Sequence, residues 1–220
     1  MNEDISKSML KSNTSLVGIV CKDGVVLGAD RRSTAGSIVM NKGSQKIHKV
    51  NEYIAASYTG GVADILLTNK VFAAELRLKE LKTKVRPSAK ESANLLAMLV
   101  YRNIRTPSMI PSIVGTLVAG IDEDGKAHLY TIEPAGATTE VEDFDANFSS
   151  GMPYILGLLE RQWKKDLTVD QGVHLAVESI KSSTQRDTGS GNGIDVFTIT
   201  KDGIKHVVSQ EITPTYTNVN

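Results

Sequence analysis

The chain has 220 residues, 40% of them hydrophobic, and its 25 Lys and Arg are balanced by 25 Asp and Glu. That length supports one domain with a substantial core, and zero net charge at this apolar content argues against an electrostatic nucleic-acid binder and against disorder. One cysteine excludes an intrachain disulfide and a cysteine-built zinc site, the four histidines stand singly, and no apolar run approaches the ~20 residues of a membrane span.

Residues 1–13 are polar and of mixed charge, with Met9-Leu10 their only adjacent apolar pair. A secretory signal needs an apolar core of about 7–15 residues, so this segment is not one; by itself it reads as a polar, disordered tail. Two apolar β-type runs follow, Leu16–Cys21 and Val25–Ala29, around Lys22-Asp23-Gly24. An Asp-Gly step between such runs is a strong hairpin signal. Cys21 lies in the first run and reads as inert core. Ser33–Gly36 is turn-like and Ile38–Met40 a short apolar run, and Ile47–Val50 with Tyr53–Tyr58 reads as a second hairpin around Asn51-Glu52. Thr59-Gly60-Gly61 then leads into a helix, since a Gly pair lets backbone approach closely there.

Val62–Leu81 has helical spacing, with Ile65, Leu66, Val71, Phe72, Leu76 and Leu78 near one stripe. After Pro87, Ser88 and Glu91 form a capping box, and a second helix runs through Leu95, Leu96, Leu99, Val100 and Ile104. Ser112–Ile121 and Ala127–Ile132 flank Asp122–Gly125 as a third hairpin, and Thr139–Val141 adds a short strand. Ser149-Ser150-Gly151 opens a helix over Pro153–Trp163, and Thr168 with Gln171 caps a fourth that ends near Thr184. A polar loop, Gln185–Gly191, leads to strands Asp195–Thr200 and Lys205–Val208 around Asp202-Gly203. Strand runs and helix pairs are segregated, which favours α+β with antiparallel sheets over a parallel α/β fold.

The first hairpin has chemical interest. Thr14 stands at the start of its first strand and Asp30 at the end of its second, so antiparallel pairing brings them together, and Lys46 follows within reach. A hydroxyl nucleophile needs a base. A Thr with a free α-amino group carries its own, of pKa about 8, but Thr14 gains one only if residues 1–13 are removed. The plain alternative is structural: Thr14 at a strand start, Asp30 in a turn and Lys46 solvated.

Thr14, Val17-Gly18, Lys22–Val26, Asp30-Arg31 and Lys46 resemble the start of a mature proteasome β subunit of archaeal type. Ser149-Ser150-Gly151-Met152-Pro153 stands where that family has Gly-Ser-Gly-Ser-Pro, and its Arg-Asp-x-x-Ser-Gly motif is intact as Arg186–Gly191. The resemblance covers nearly the whole chain after residue 13. It implies the αββα four-layer sandwich of the N-terminal-nucleophile hydrolases, with residues 1–13 a propeptide and 14–220 one domain. It implies a threonine endopeptidase acting through an acyl-enzyme: Thr14 as nucleophile, Lys46 lowering the pKa of the amine, Asp30 orienting Lys46, and Ser150, Asp187 and Ser190 holding the amine and a water. A backbone N–H at Gly60 would serve the oxyanion, and Ser33, Ser44, His48, Tyr58, Val62 and Leu66 would line the substrate side-chain pocket. No cofactor and no metal are implied. The implied partners are proteasome α subunits and other β subunits in stacked rings of seven, a regulatory ATPase on the α ring and unfolded polypeptide as substrate, in the cytoplasm, with no nucleic acid and no membrane.

Two positions depart from the family. Asn13 stands where Gly almost always precedes the nucleophile, and self-cleavage there demands a tight bend that Gly adopts at least cost, with Asn among the less penalised substitutes. A chain that stays unprocessed would be a silent structural β subunit. Tyr58 is bulkier than the family's usual residue, which implies a shallow or obstructed pocket favouring small side chains. A bacterial-type protease subunit or small amidase with the same kind of nucleophile is the third reading; a small native oligomer would favour it.

Overall fold

The alternation of side chains along the strands decides the layering, because successive residues face opposite sides of a sheet. The computed structural model of the chain describes residues 10–212; the expectations for residues 1–9 and 213–220 lie outside them. β2 (Leu16–Cys21) and β3 (Gly24–Asp30) form the expected hairpin, in register from Leu16 opposite Ala29 to Cys21 opposite Gly24, over the loop Lys22-Asp23. β12 (Gly193–Thr200) pairs with the other edge of β3, β13 (Gly203–Glu211) pairs with β12, and β11 (Phe144–Asp145) pairs with β2. These five strands make one antiparallel sheet, in the order β11-β2-β3-β12-β13.

The second sheet contains eight strands among the described residues. Its centre is β7 (Ile54–Gly61) beside β8 (Val114–Ile121), continued by β9 (Ala127–Ile132) and β10 (Thr138–Val141). On its other side β7 pairs with β6 (Ile47–Lys49) along Ile47–Lys49 and with β1 (Leu10–Ser12) at its C-terminal end. β1 pairs in turn with β4 (Ser33–Ala35), which pairs with β5 (Ile38–Asn41). Two expectations change here. Ser33–Ala35, expected as part of a turn, is a strand, and Leu10–Ser12, expected by composition to be a disordered tail, is a strand held on both edges. Neither shows in a local pattern because β1 pairs with residues that lie far along the chain.

Among the described residues four helices cover the outer faces: α1 (Val62–Thr83), α2 (Ala89–Arg105), α3 (Met152–Gln162) and α4 (Val169–Thr184). Both expected capping boxes form, Ser88 with Glu91 at α2 and Thr168 with Gln171 at α4. On α1 the buried stripe is Ile65, Thr68, Phe72 and Leu76, whereas Leu66 and Leu78, expected on that stripe, are 48% and 43% exposed. The 3-4-4 spacing of the buried four keeps them on one face, and Leu66 and Leu78 fall off it.

Three apolar layers result. Tyr58, Phe72, Leu76, Leu96 and Val118 pack between the eight-stranded sheet and the pair α1 and α2. Leu16, Leu27, Leu117, Leu129 and Phe197 pack between the sheets. Val17, Val26, Ile155, Leu159, Ile180 and Val196 pack between the five-stranded sheet and the pair α3 and α4. On β3, Val25 and Leu27 face the inter-sheet layer while Val26 between them faces the helices. This is the four-layer α+β sandwich expected. Cys21 is buried in the layer under α3 and α4 as inert core, its thiol pushed up to about 12 by burial and by Asp23. No helix among the described residues is long and apolar enough to cross a membrane.

Candidate active site

The register of the β2–β3 hairpin carries Thr14 and Asp30 to one end of the molecule's interior. The N–H of Asp30 donates to the Ser15 carbonyl at 3.1 Å, continuing the ladder past the last regular pair. Lys46 enters the same space from the segment before β6, its backbone fixed by the Tyr58 N–H donating to its carbonyl at 3.0 Å. Thr14 and Asp30 are fully buried and Lys46 is 3% exposed. Three residues expected to converge therefore do so.

Asp30 is the hub. Its Oδ1 accepts from Lys46 Nζ at 2.7 Å and from the Ser15 N–H at 2.9 Å. Its Oδ2 accepts from the N–H groups of Arg32 and Gly191, both at 2.9 Å. A buried carboxylate is tolerated only when it is paired and hydrogen-bonded, and four donors supply that here. The pKa of Lys46 is pulled below the usual lysine value, by burial first, against the attraction of Asp30 and Asp187. Its ammonium also donates to the Asn13 carbonyl at 3.0 Å, so one cation touches both Asp30 and the peptide bond before Thr14.

The other side of Thr14 is held from the C-terminal half. The Thr14 N–H donates to Ser150 Oγ at 3.0 Å, and Ser150 Oγ lies 2.7 Å from Asp187 Oδ2 and 3.1 Å from the Thr14 carbonyl. Ser190 Oγ also donates to Asp187 Oδ2. Behind it, Ser15 Oγ donates to Ser190 Oγ at 2.8 Å and pairs with the hydroxyl of Ser183 on α4. The hydroxyls thus form a chain from Ser183 through Ser15 and Ser190 to the Asp187 carboxylate. Arg32 braces the loop that carries Asp187: its Nε donates to Asn192 Oδ1 at 2.8 Å and its Nη1 to the Thr188 carbonyl at 2.9 Å.

Gly60 lies near the end of β7, across from Ser12 on one side and Val114 on the other. Its φ is +130°, and a Cβ there would run into the Ile113 carbonyl, so backbone conformation and close approach both require glycine. Ser33, Ser44, His48, Tyr58, Val62 and Leu66, expected to line one pocket, do line one cavity of about 240 Å³, together with Asn41, Gln45, Lys46 and Ile65. Ser33 Oγ and Ser44 Oγ are hydrogen-bonded at 2.6 Å. Tyr58 is fully buried, lines the cavity and donates its hydroxyl to Asn69 Oδ1 at 3.0 Å. His48 meets the Tyr58 ring edge-on at 5.7 Å between centroids, and burial lowers its pKa from the ordinary value, against a bond to the Gln45 backbone.

Ser15, Ser183 and Arg32 are the site residues that sequence reasoning passes over. Ser15 had one signal, its place beside Thr14, where an alternating strand must turn the neighbouring side chain to the opposite face. Ser183 had none, since it lies on a helix whose pattern reads only as amphipathic.

The sequence profile of the family described as Proteasome subunit matches residues 10–199. A protein named Proteasome subunit beta from Methanothermobacter thermautotrophicus is 37% identical over 215 residues, 97% of this chain and 99% of that protein. Proteasome subunit beta 2 of Pyrococcus abyssi is 39% identical over 199 residues, 90% of this chain and 92% of its own. Proteasome subunit beta of Methanocaldococcus vulcanius is 32% identical over 200 residues, 91% and 87% of the two chains. With the family match running from β1 into β12 and these relatives aligned over nine-tenths or more of its length, the chain belongs to the proteasome subunit family, and within it to the β type.

Proposed function

We propose that this β subunit is a threonine endopeptidase that makes its own nucleophile by cutting the bond between Asn13 and Thr14. The observation that carries the reading is the Asn13 carbonyl held by Lys46 Nζ at 3.0 Å while the N–H of the same peptide bond is held by Ser150 Oγ at 3.0 Å. A cation on the carbonyl oxygen favours attack on the carbon, and a polar group at the nitrogen can hand a proton to it as it leaves. Thr14 Oγ forms a bond to the Asn13 carbonyl carbon, the C–N bond breaks, and the proton of Oγ ends on the new α-amine. Water then splits the resulting ester, releasing residues 1–13 with a carboxylate on Asn13.

The freed amine, of pKa about 8 before its surroundings act, becomes the base for Thr14 Oγ. Lys46 and Asp30 steady the charge, and Ser150, Asp187 and Ser190 hold the amine and the hydrolytic water. The Gly60 N–H is the oxyanion donor, a contribution of roughly 3–4 kcal/mol. Departure of β1 leaves the space between β4 and β7 open to an extended substrate, which would add as a strand. Its side chain before the scissile bond would enter the cavity beside Tyr58, which favours small residues. The subunit would work without a cofactor in the cytoplasm, on unfolded polypeptide fed by a regulatory ATPase, within stacked seven-membered rings of α and β subunits.

A second reading, a silent structural β subunit, is favoured by Asn13 in place of the family's glycine and by the seating of β1 between two strands. The intact mass of the subunit, taken from particles assembled with its α partners, separates the two. Loss of residues 1–13 supports the peptidase; a mass that keeps them, or a cut upstream of Asn13, supports the structural subunit.

A further inference from the structure

We infer that Gly189 is a positioning residue for removal of the N-terminal segment: by lacking a side chain it makes room for asparagine in front of Thr14. The inference rests on the reading of Asn13-Thr14 as the processing site. Asn13 is not among the residues lining the cavity beside Tyr58. Its side chain lies instead over Gly189, which is buried beneath it. A methyl group built on residue 189 would overlap Asn13 Cβ and stand 3.1 Å from both Cγ and Nδ2.

That overlap cannot be relieved by a rotamer change. Cβ is one bond from the backbone, so Asn13 would have to move its Cα, and with it the carbonyl that Lys46 holds at 3.0 Å. Residue 189 cannot easily yield either. Its N–H donates to Asp187 Oδ1 at 3.0 Å, and the same carboxylate holds Ser150 and Ser190. The preceding carbonyl, of Thr188, is held by Arg32 at 2.9 Å. Nor does the backbone at 189 call for glycine, since Gly189 is not among the glycines of positive φ. The three atoms nearest the added methyl all belong to Asn13, so the conflict leaves with the segment.

The test is Gly189→Ala in four forms of the subunit, each assembled with α partners: the full chain, the full chain with Asn13→Gly, a chain made to begin at Thr14 by removing a fusion partner, and an uncleavable Thr14→Ala chain. Intact mass against time reports removal of residues 1–13, and hydrolysis of a fluorogenic peptide reports activity. Displacing a reacting carbonyl by ~1 Å costs up to about a hundredfold, so Gly189→Ala should slow removal at least tenfold when Asn13 is present. With Asn13→Gly, Gly189→Ala should leave the rate as it is, and in the chain beginning at Thr14 it should leave peptide hydrolysis within about twofold. Equal slowing with and without the Asn13→Gly substitution, loss of hydrolysis in the chain beginning at Thr14, or no slowing at all overturns the inference. If the parent chain never loses residues 1–13, the self-cleavage reading fails by itself. The inference is then decided on the Thr14→Ala chain: Gly189→Ala should expose the bond after Asn13 to added protease, Asn13→Gly should abolish the difference, and unchanged protection overturns it.

Discussion

Asp30 shows what a single residue contributes here, because its two oxygens accept four hydrogen bonds inside the protein. Asp30→Asn puts an amide N–H₂ where two donors already point and leaves Lys46, whose side chain is 2% exposed, without its counter-ion. Removing one partner of a buried pair costs about 3–5 kcal/mol. We expect the urea midpoint to fall accordingly and the mass to retain residues 1–13; an unchanged midpoint would show that Lys46 finds compensation elsewhere. His48 provides a pH test. Its folded pKa is lowered from 6.5 by burial, so below that value the unfolded chain takes up a proton that the folded chain refuses. Stability therefore falls as pH drops through 6.5, until the folded ring also titrates. His48→Gln should flatten that part of the melting-temperature profile, and parallel profiles would remove His48 as the cause. At this scale Thr14 and Asp30 were legible because one Asp-Gly hairpin sets their meeting and Lys46 through the family motif it completes, whereas Ser183 and Arg32 act through contacts that no local spacing encodes.

At the scale of elements, β1 and α2 stand at opposite ends of legibility. The start of α2 is written in the chain: Ser88 Oγ accepts from the Glu91 N–H at 3.1 Å and Glu91 Oε2 from the Ser88 N–H at 2.9 Å. Ser88→Ala should cost about 1 kcal/mol, read as a shift of the denaturation midpoint without a change of slope. β1 has no such signature. Three residues paired to Thr34-Ala35 on one edge and Gly60-Gly61 on the other make a strand only because both neighbours are in place. Proline lacks the N–H and is excluded from a central strand. Lys11→Pro in an uncleavable Thr14→Ala chain should therefore release β1 to protease several-fold faster, and equal rates would show that the segment is held by something other than its ladder.

For the whole molecule, three apolar layers carry the stability. Phe72 is fully buried between α1, α2 and the eight-stranded sheet, and Phe72→Ala should cost about 3–5 kcal/mol. The far side of α1 is different: Leu67 is 62% exposed and Leu81 59%. In the ring assembly that the β family implies, this face is a candidate to meet a neighbouring subunit, and two substitutions test it. Leu67→Glu with Leu81→Glu should leave the circular dichroism of the subunit unchanged while shifting the native particle, by mass photometry, towards smaller species. A particle of unaltered size would move the interface off this face.

By itself the sequence determined the hairpins, both capping boxes, the pairing of helices and the segregation that makes the fold α+β, because each depends on residues a few positions apart. It also set Thr14 and Asp30 at one end of the β2–β3 hairpin, whereas the arrival of Lys46 on Asp30 was decided by the tertiary structure. Only the tertiary structure decided that Leu10–Ser12 is a strand, that Ser183 and Ser15 join the Asp187 network, that Leu78 leaves the core stripe of α1, and that Asn13 rests on Gly189. Those outcomes depend on groups such as Thr14 and Ser150, 136 residues apart in the chain. Their hydrogen bonds exist only once both sheets have closed on one another, and burial then gives each bond a strength that spacing along the chain does not reveal.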